Sequence, residues 1–495
     1  MIDILLSVCS GTHNSSFPVA IGLVGCLLIA IICRSWTNPL SAIPGPWLSN
    51  WTGVVTTYHW FMGRRAQYVD SLHNKYGPIV RVSPTEVHVN DIPAVKEIHK
   101  VGSRYLKSDW YFDLTTRSTV TIFNTTSPSY HSHLRKLMSG PISDANLKQY
   151  EPIIMERVSL ALEGIDDEIR ARGAADIFKW ATFLATDVIG ELTFGESFKM
   201  LERREKNQYV EDLETIASNQ PFKTTFPWLV TAGLYIQLGV FRRIAELIQR
   251  LQEYATQSVQ RYQDHLKQNP TNPKPTLFTK LYNAEEQDIL NHKEILANAQ
   301  SYIVAGSDTT ALTLTYLIYA VCKDWKIKDR LVKELASLPP DFRDTDCREL
   351  PFLNQVITET LRAYPVIATA LPRIVPSGGA VLAGYSIPGG MTVSTQAYSL
   401  HNNPVVFPAP QTFDPSRWET PTKEMNDSFM AFGGGSRVCI GMHLAKVELR
   451  LATAHFFRRF SSARVSSKEG MSDADMEMKA WFLAQPKGHR CLIEA

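Results

Sequence analysis

The 495-residue sequence has few cysteines: its seven are scattered, and none forms a C-x-x-C pair. This pattern argues against a zinc site and a disulfide framework, and it suits a reducing compartment. Net charge is also nearly absent, at +2, so the chain has no global basic field that would attract nucleic acid. Internal repeats and long low-complexity tracts are missing, and the length is compatible with one large domain or with two or three average ones.

One glycine-rich stretch contains a cysteine that favours metal chemistry. Residues 432–441 read FGGGSRVCIG, and apolar residues at helical spacing follow from Ile440 to Leu451. The unpaired N–H groups and the dipole of the helix N-terminus favour a thiolate at Cys439. The glycines leave room for a flat group, and Arg437 could pair with an anion on it. The stretch therefore predicts a thiolate ligand to a planar metal cofactor.

This stretch has two other interpretations. A buried structural cysteine in a glycine loop is the simpler one. A dinucleotide-binding fingerprint is excluded, because Val438 stands where the third glycine should be and no βαβ unit surrounds the loop.

The pattern F-x-x-G-x-R-x-C-x-G, from Phe432 to Gly441, resembles the haem-binding signature of the cytochrome P-450 superfamily. The resemblance implies haem b bound to iron-ligating Cys439, with Gly435 also in the binding loop and Arg437 on a propionate. A cysteine thiolate in this family pushes electron density toward O–O cleavage. The implied fold is mainly α with small β-sheets.

A long apolar helix is predicted over residues 294–321, with Ala-Gly-Ser-Asp-Thr-Thr at its centre. A mid-helix glycine and a buried aspartate are both unfavourable, so their proximity indicates a functional site. The segment resembles the family's oxygen-binding motif, which implies that Thr309 donates a proton to oxygen and Asp308 relays protons from water. We expect Gly306 to let the helix open locally. The alternative is a kinked core helix with a back-bonding threonine.

Further cofactor contacts follow from the resemblance. His131 and Arg135 share a helix face at i and i+4, and the family uses such a pair to hold a haem propionate. Arg373 is implied to start an inner strand and to pair with a propionate. The alternative for His131 and Arg135 is a surface helix with solvated charges.

Glu359 and Arg362 lie at i and i+3 on one predicted helix face. The resemblance implies a buried network that Arg417, from a later loop, completes. An exposed ion pair is the alternative interpretation.

The N-terminal region predicts a single membrane anchor. Residues 1–16 are expected in the lumen, 17–33 form an uncharged run long enough to span, 34–48 are a proline-rich hinge, and 49–495 are the cytosolic catalytic domain. A signal peptide is disfavoured because the first segment lacks basic residues. The predicted location is the endoplasmic reticulum membrane, and Asn14 lies in a glycosylation sequon on the luminal side.

Coarser patterns complete the prediction. Residues 79–89 predict a hairpin around a Ser-Pro turn, with minor sheet also near 380–393. Residues 228–236 are apolar but too short to span, and we expect them to form a second contact with membrane lipid. Residues 110–112, 122, 123 and 367–370 are implied to line the substrate pocket, and ordinary core residues are the alternative for the first five.

The sequence thus predicts a haem-thiolate monooxygenase that uses dioxygen and oxidises a lipophilic small molecule. No flavin- or nucleotide-binding motif occurs, so electrons should come from a separate NADPH-cytochrome P-450 reductase, with cytochrome b5 as an additional donor. The loops resemble fungal enzymes of secondary metabolism that act on terpenoid, polyketide or alkaloid skeletons. The alternatives are a haem-thiolate isomerase or dehydratase and a non-catalytic haem or lipid sensor.

Overall fold

The structure is a computed structural model in which a defined part of the chain is described. That part comprises residues 22, 25, 38–115, 119–236, 239–269, 274, 276–279 and 290–495. The predicted luminal segment with Asn14 lies outside the described residues, as do all but two positions of the predicted anchor. Within the described residues, no helix is both long and apolar enough to cross a membrane.

Helices dominate the described chain, as the periodicity predicts. In chain order they are α1 (Val54–Phe61), α2 (Arg65–Tyr76), α3 (Ile92–His99), α4 (Trp110–Leu114), α5 (Pro128–Met138), α6 (Asp144–Leu147), α7 (Glu151–Arg172), α8 (Ile177–Phe194), α9 (Met200–Arg203), α10 (Gln208–Ser218), α11 (Gln220–Thr225), α12 (Pro227–Ile236), α13 (Val240–Gln268), α14 (His292–Lys323), α15 (Trp325–Leu335), α16 (Asp344–Arg348), α17 (Pro351–Ala363), α18 (Ala397–His401), α19 (Lys423–Ser428) and α20 (Met442–Arg459).

The strands are short and form small sheets, so the predicted fold class is confirmed. They are β1 (Ile79–Ser83), β2 (Glu86–Val89), β3 (Leu106–Lys107), β4 (Ala175–Asp176), β5 (Arg373–Ile374), β6 (Ala380–Leu382), β7 (Tyr385–Ile387), β8 (Thr392–Ser394), β9 (Arg464–Val465), β10 (Met478–Ala480), β11 (Ala484–Pro486) and β12 (Leu492–Glu494). The largest sheet has the order β1-β2-β8-β5-β3, and β1 and β2 are the predicted hairpin.

The long predicted helix is α14, which extends two residues beyond the prediction at each end. It begins at a capping box, in which the Asn291 side chain accepts from the Glu294 N–H and the Glu294 carboxylate accepts from the Asn291 N–H, both at 3.0 Å. Its second half is buried because α8, α17 and α20 pack around it. This burial explains why charged residues are rare there.

Gly306 has a packing role that the sequence did not indicate. A Cβ at this position would lie 2.6 Å from Cγ1 of Ile189 on α8. The helix is continuous through residue 306, so the expected local opening is not observed. A glycine stands here because α8 and α14 approach closely.

The part of the predicted hinge that the structure describes is packed on the first sheet. Leu40 and Ile43 are buried. The Arg81 guanidinium on β1 donates to the carbonyl oxygens of Leu40 and Ile43, and the Arg81 N–H donates to the oxygen of Pro44. These bonds fix the direction from which the chain enters the catalytic domain.

Candidate active site

A cavity of about 1260 Å³ lies between α14 and the loop that precedes α20. Ligand pockets usually enclose about 300–1,000 Å³, so this cavity has room for a prosthetic group and a substrate together. Its wall is mainly apolar and includes Phe112, Ile122, Phe241 and Phe482. Of the residues predicted to line the pocket, 111, 112, 122, 123 and 367 line it, whereas 110 and 368–370 do not.

Cys439 is the one described cysteine that lines this cavity. Its N–H donates to the oxygen of Phe432 at 2.8 Å, which closes the loop, and α20 begins three residues later. The other described cysteines, Cys322, Cys347 and Cys491, are buried away from it.

The glycines of this loop are required for different structural reasons. Gly433 and Gly435 have positive φ, at 71° and 58°. A Cβ at Gly435 would lie 1.6 Å from the oxygen of His99, so only glycine fits there. Gly435 packs against α3 and does not itself line the cavity, whereas Phe432 and Gly441 do.

The Cys439 thiol faces the cavity but lies deep in the fold. Burial raises its pKa above the ordinary value, while the Gly441 N–H and the charge of Arg135 act in the opposite direction. Burial therefore outweighs the effect of the helix N-terminus, which the sequence predicts to favour a thiolate. A metal cation would reverse this balance by binding the thiolate.

Five basic side chains line the same cavity as this thiol: Lys107, His131, Arg135, Arg373 and Arg437. Four of these were predicted as cofactor contacts, and Lys107 was not. Burial, followed by nearby Arg437, lowers the pKa of His131 to about 3. Burial and the neighbouring arginines also lower the pKa of Lys107 well below its ordinary value.

Two of the three arginines in this group donate to neutral partners. Arg135 donates from Nη1 to the oxygen of Val438 at 2.8 Å. Arg373 donates from Nη1 to the Tyr111 hydroxyl at 2.9 Å. Arg437 Nη1 is buried and has no acceptor among the described residues, and burial and Arg373 lower its pKa to about 10.

These residues fit a planar cofactor that carries carboxylates. A buried cation without an acceptor is costly, and no described carboxylate pairs with any of the five. The carboxylates of haem would supply the missing acceptors beside Arg437, with a thiol available as axial ligand. The site therefore fits haem.

On α14, Asp308 and Thr309 line the same cavity. Burial raises the pKa of Asp308 to about 6, with a smaller contribution from Glu214. The Thr309 hydroxyl donates to the oxygen of Ala305 at 2.6 Å. The lone pairs of this hydroxyl point away from that bond and are available to accept a hydrogen bond.

Asp308 has a charged neighbour pair that the sequence did not reveal. The ammonium of Lys206 pairs with the Glu214 carboxylate at 2.7 Å, and both side chains are partly exposed. Both charges are close enough to Asp308 to shift its pKa, and both side chains reach the protein surface.

The predicted Glu359 network is present and buried. Arg362 donates to both oxygens of Glu359 at 2.8 Å, and Arg417 donates to Oε1 at 3.0 Å. Trp418 Nε1 and the Asp414 N–H also donate to this carboxylate, at 2.9 Å each. The exposed-pair alternative is excluded, because the side chains of Glu359 and Arg362 are 0% exposed.

His401 connects this network to the cysteine loop, a role that no sequence motif signalled. Its Nδ1 bonds the oxygen of Arg362 at 3.0 Å, and its Nε2 accepts from the Met430 N–H at 2.9 Å. These partners require a neutral ring with the proton on Nδ1. Burial and the charge of Arg362 lower the pKa of His401 to about 3.

A thiol and a group of basic side chains line one large cavity in a mainly helical fold, which defines the site of a haem-thiolate protein. The cytochrome P-450 family model matches residues 43–492. The chain is similar to cytochrome P-450 monooxygenase orf2 of Aspergillus niger, with 46% identity over 478 residues that cover 96% of this chain and 97% of the relative. It is 49% identical to cytochrome P-450 monooxygenase tazI of Aspergillus terreus, over 97% of this chain and 99% of that one. Cytochrome P-450 monooxygenase aflV of Aspergillus parasiticus is 35% identical, over 94% and 93%.

The chain therefore belongs to the cytochrome P-450 family. It is a haem-thiolate monooxygenase of fungal secondary-metabolite type, and its family binds haem b through a cysteine thiolate. These findings confirm the predicted family, enzyme class and cofactor, and they do not favour the isomerase, dehydratase or sensor alternatives. The roles of individual residues stay predictions.

Proposed function

We propose that Cys439 Sγ would hold the iron of haem b and that the enzyme uses dioxygen, two electrons and two protons to insert one oxygen atom into an apolar substrate and release the other as water. The observation that carries this proposal is that Cys439 and five basic side chains line one cavity. When bound, the thiolate-ligated haem supplies the redox chemistry that splits dioxygen. The protein's own residues bind, orient and deliver protons.

Arg135, His131, Arg373 and Arg437 hold the haem propionates. The buried and unpaired Nη1 of Arg437 supports this role most directly. His131 is buried and neutral at physiological pH, so it serves as a hydrogen-bond partner and carries no counter-charge. Lys107 joins the same group, because it lies beside Arg373 and its pKa responds to Arg437.

Thr309 and Asp308 supply the protons. In the resting geometry the Thr309 hydroxyl donates to the oxygen of Ala305, and rotation about χ1 turns this donor toward the cavity. Asp308, whose pKa is about 6, exchanges protons readily near neutral pH. The ion pair of Lys206 and Glu214 gives Asp308 a neighbour that solvent reaches.

Electrons come from a separate NADPH-cytochrome P-450 reductase, with cytochrome b5 as a further donor. Arg135 is half-buried and engaged with Val438, so the docking face depends on the exposed Lys136 of the same helix and on Lys100, which follows α3 beside the cysteine loop. Reversing the charge of these two lysines is expected to raise the reductase KM and to weaken the salt dependence of turnover.

The enzyme is anchored in the endoplasmic reticulum membrane by residues 17–33, with 1–16 and a glycosylated Asn14 in the lumen. Residues 34–48 form the hinge and 49–495 the cytosolic catalytic domain. The buried contacts of residues 40–46 with β1 support a hinge whose last part belongs to the domain. The proposal places the catalytic domain in the cytosol because basic residues follow the apolar run.

A second membrane contact is proposed at an apolar surface on α12. Trp228, Tyr235 and Ile236 are 69%, 91% and 62% exposed. Nearby Phe226 meets Phe61 of α1, with ring centroids 6.5 Å apart. Large exposed apolar side chains clustered in this way are typical of an interaction surface.

Incorporation of labelled oxygen tests the proposed reaction. The enzyme is reconstituted with reductase in vesicles and given NADPH, ¹⁸O-labelled dioxygen and candidate secondary metabolites. One labelled atom per product is expected, and unlabelled isomerised or dehydrated product would contradict the proposal. The Thr309→Ala variant should consume NADPH with less product, whereas Thr315→Ala, whose hydroxyl bonds Ala311 within α14, should stay coupled.

A further inference from the structure

A sixth basic side chain, Lys223 on α11, lines the cavity. No described side chain forms a hydrogen bond or an ion pair with its ammonium group. Buried charges in folded proteins are normally paired or bound to a ligand. An unpaired amine on a largely apolar wall therefore indicates a ligand group that the protein itself does not provide.

Lys223 is separate from the five basic side chains assigned to the haem. Among the described residues, Asp113 on α4 is the charged group that shifts its pKa, and it raises that pKa. Burial has the larger effect and lowers the pKa of Lys223 to about 8. None of the arginines at the cofactor end contributes, so Lys223 belongs to another region of the cavity.

The helix that carries Lys223 is fixed in place. Trp60 Nε1 on α1 donates to the hydroxyl of Thr224 at 3.0 Å, and α11 packs against α4. Phe222 precedes Lys223 in the chain and also lines the cavity, as does Phe112 of α4. The amine is therefore held beside an aromatic part of the wall.

We propose that Lys223 is a specificity-determining residue that binds an anionic oxygen, a carboxylate or an ionised enol, on an otherwise apolar ring substrate. This inference rests on the proposed function, because it assigns a substrate group within the same cavity. The acidic oxygen pairs with Lys223 while the rings lie against the aromatic wall. The molecule's orientation then fixes which carbon faces the haem.

Equilibrium dialysis of 2-naphthoate and its methyl ester against the holoenzyme tests this proposal. The wild type should bind the acid roughly tenfold more tightly than the ester. Lys223→Met should abolish the preference by weakening acid binding alone, and Lys223→Arg should retain it. Lys267→Met is the matched control, because it removes the same charge from a side chain that is 75% exposed.

Two results would overturn the proposal: a wild type that binds the ester as tightly as the acid, or a preference that survives Lys223→Met. The carbon monoxide spectrum of each variant separates this outcome from a failure of the proposed function. A normal thiolate-haem band with no acid preference refutes the Lys223 subsite alone. Loss of that band already in the wild type refutes the haem-thiolate site.

Discussion

Lys107 on β3 lies directly opposite Arg373 on β5 in an antiparallel pair. Directly opposed side chains share a face of the sheet, and like charges in such positions repel. Both residues are also nearly buried, at 9% and 4% exposed. A fold keeps such a pair when an anion compensates it, and the propionates of haem are the proposed anions.

Replacing Lys107 should change the stability of the haem-free protein and its affinity for haem in opposite directions. Lys107→Met is expected to raise the melting temperature of the haem-free protein, because it removes a buried charge that Arg373 repels. The same variant should bind haem roughly tenfold less tightly, since a charge-assisted bond is lost. Thermal unfolding of the haem-free protein and haem titration measure the two effects. The exposed Lys136→Met is the control, and a haem affinity unchanged by Lys107→Met would contradict the assignment.

Gly435→Ala should disturb the cysteine loop more than its backbone strain alone predicts. A Cβ there would clash with the oxygen of His99, in addition to the cost of a positive φ. Gly384→Ala is a matched control, because Gly384 also has positive φ but an added Cβ would meet nothing within 4 Å. We expect the control to lose about 1–2 kcal/mol of stability and to keep its haem. The Gly435 variant should lose haem, and equal haem occupancy in the two variants would refute the explanation.

Glu359→Ala should abolish haem incorporation. The substitution leaves Arg362 buried without its carboxylate, and breaking such a network costs roughly 3–5 kcal/mol. Asp329→Ala, which removes the exposed partner of Lys333, should cost less than about 1 kcal/mol. Haem content and denaturant unfolding provide the readouts. A Glu359→Ala protein with full haem content would show that the network does not support the cysteine loop.

His401 gives the fold a defined acid sensitivity. Its pKa is about 3 in the folded protein against an ordinary 6.5, so between these values the unfolded chain binds a proton that the folded one does not. Stability is therefore full above about pH 6.5 and falls as the pH decreases, at up to about 1.4 kcal/mol per pH unit. His401→Gln should be less stable at pH 7 but should lose less stability on acidification to about pH 4. Parallel curves of unfolding free energy against pH would contradict this role.

The sequence predicted those parts of the site that lie in continuous motifs. Spacing within a few residues is enough to indicate Cys439 with its loop, Asp308 with Thr309, and Glu359 with Arg362. Lys107 and His401 could not be found in this way, because their roles depend on distant partners. Lys107 lies opposite a residue 266 positions away in the pairing of β3 with β5. His401 bonds Met430, which is 29 residues away. The sequence did not indicate Lys223 for the same reason. Only the folded cavity wall shows that no described side chain pairs with its ammonium group.

Gly306 shows a different limit of sequence interpretation. Its presence in an oxygen-binding motif suggested a local opening of α14, whereas the structure explains it by the approach of Ile189. A glycine's effect depends on what would meet its Cβ, and that neighbour lies on another helix. The pKa of Cys439 is a similar case, because burial by the surrounding fold outweighs the local helix N-terminus.

The central claim is that Cys439 Sγ binds the iron of haem. The most direct measurement is the absorption spectrum of the purified protein, reduced with dithionite under carbon monoxide. The account predicts the red-shifted Soret band of a thiolate-ligated haem in the wild type and its loss in Cys439→Ala, while Cys322→Ala keeps it. A wild type without that band, or a Cys439→Ala protein that retains it, would contradict the account.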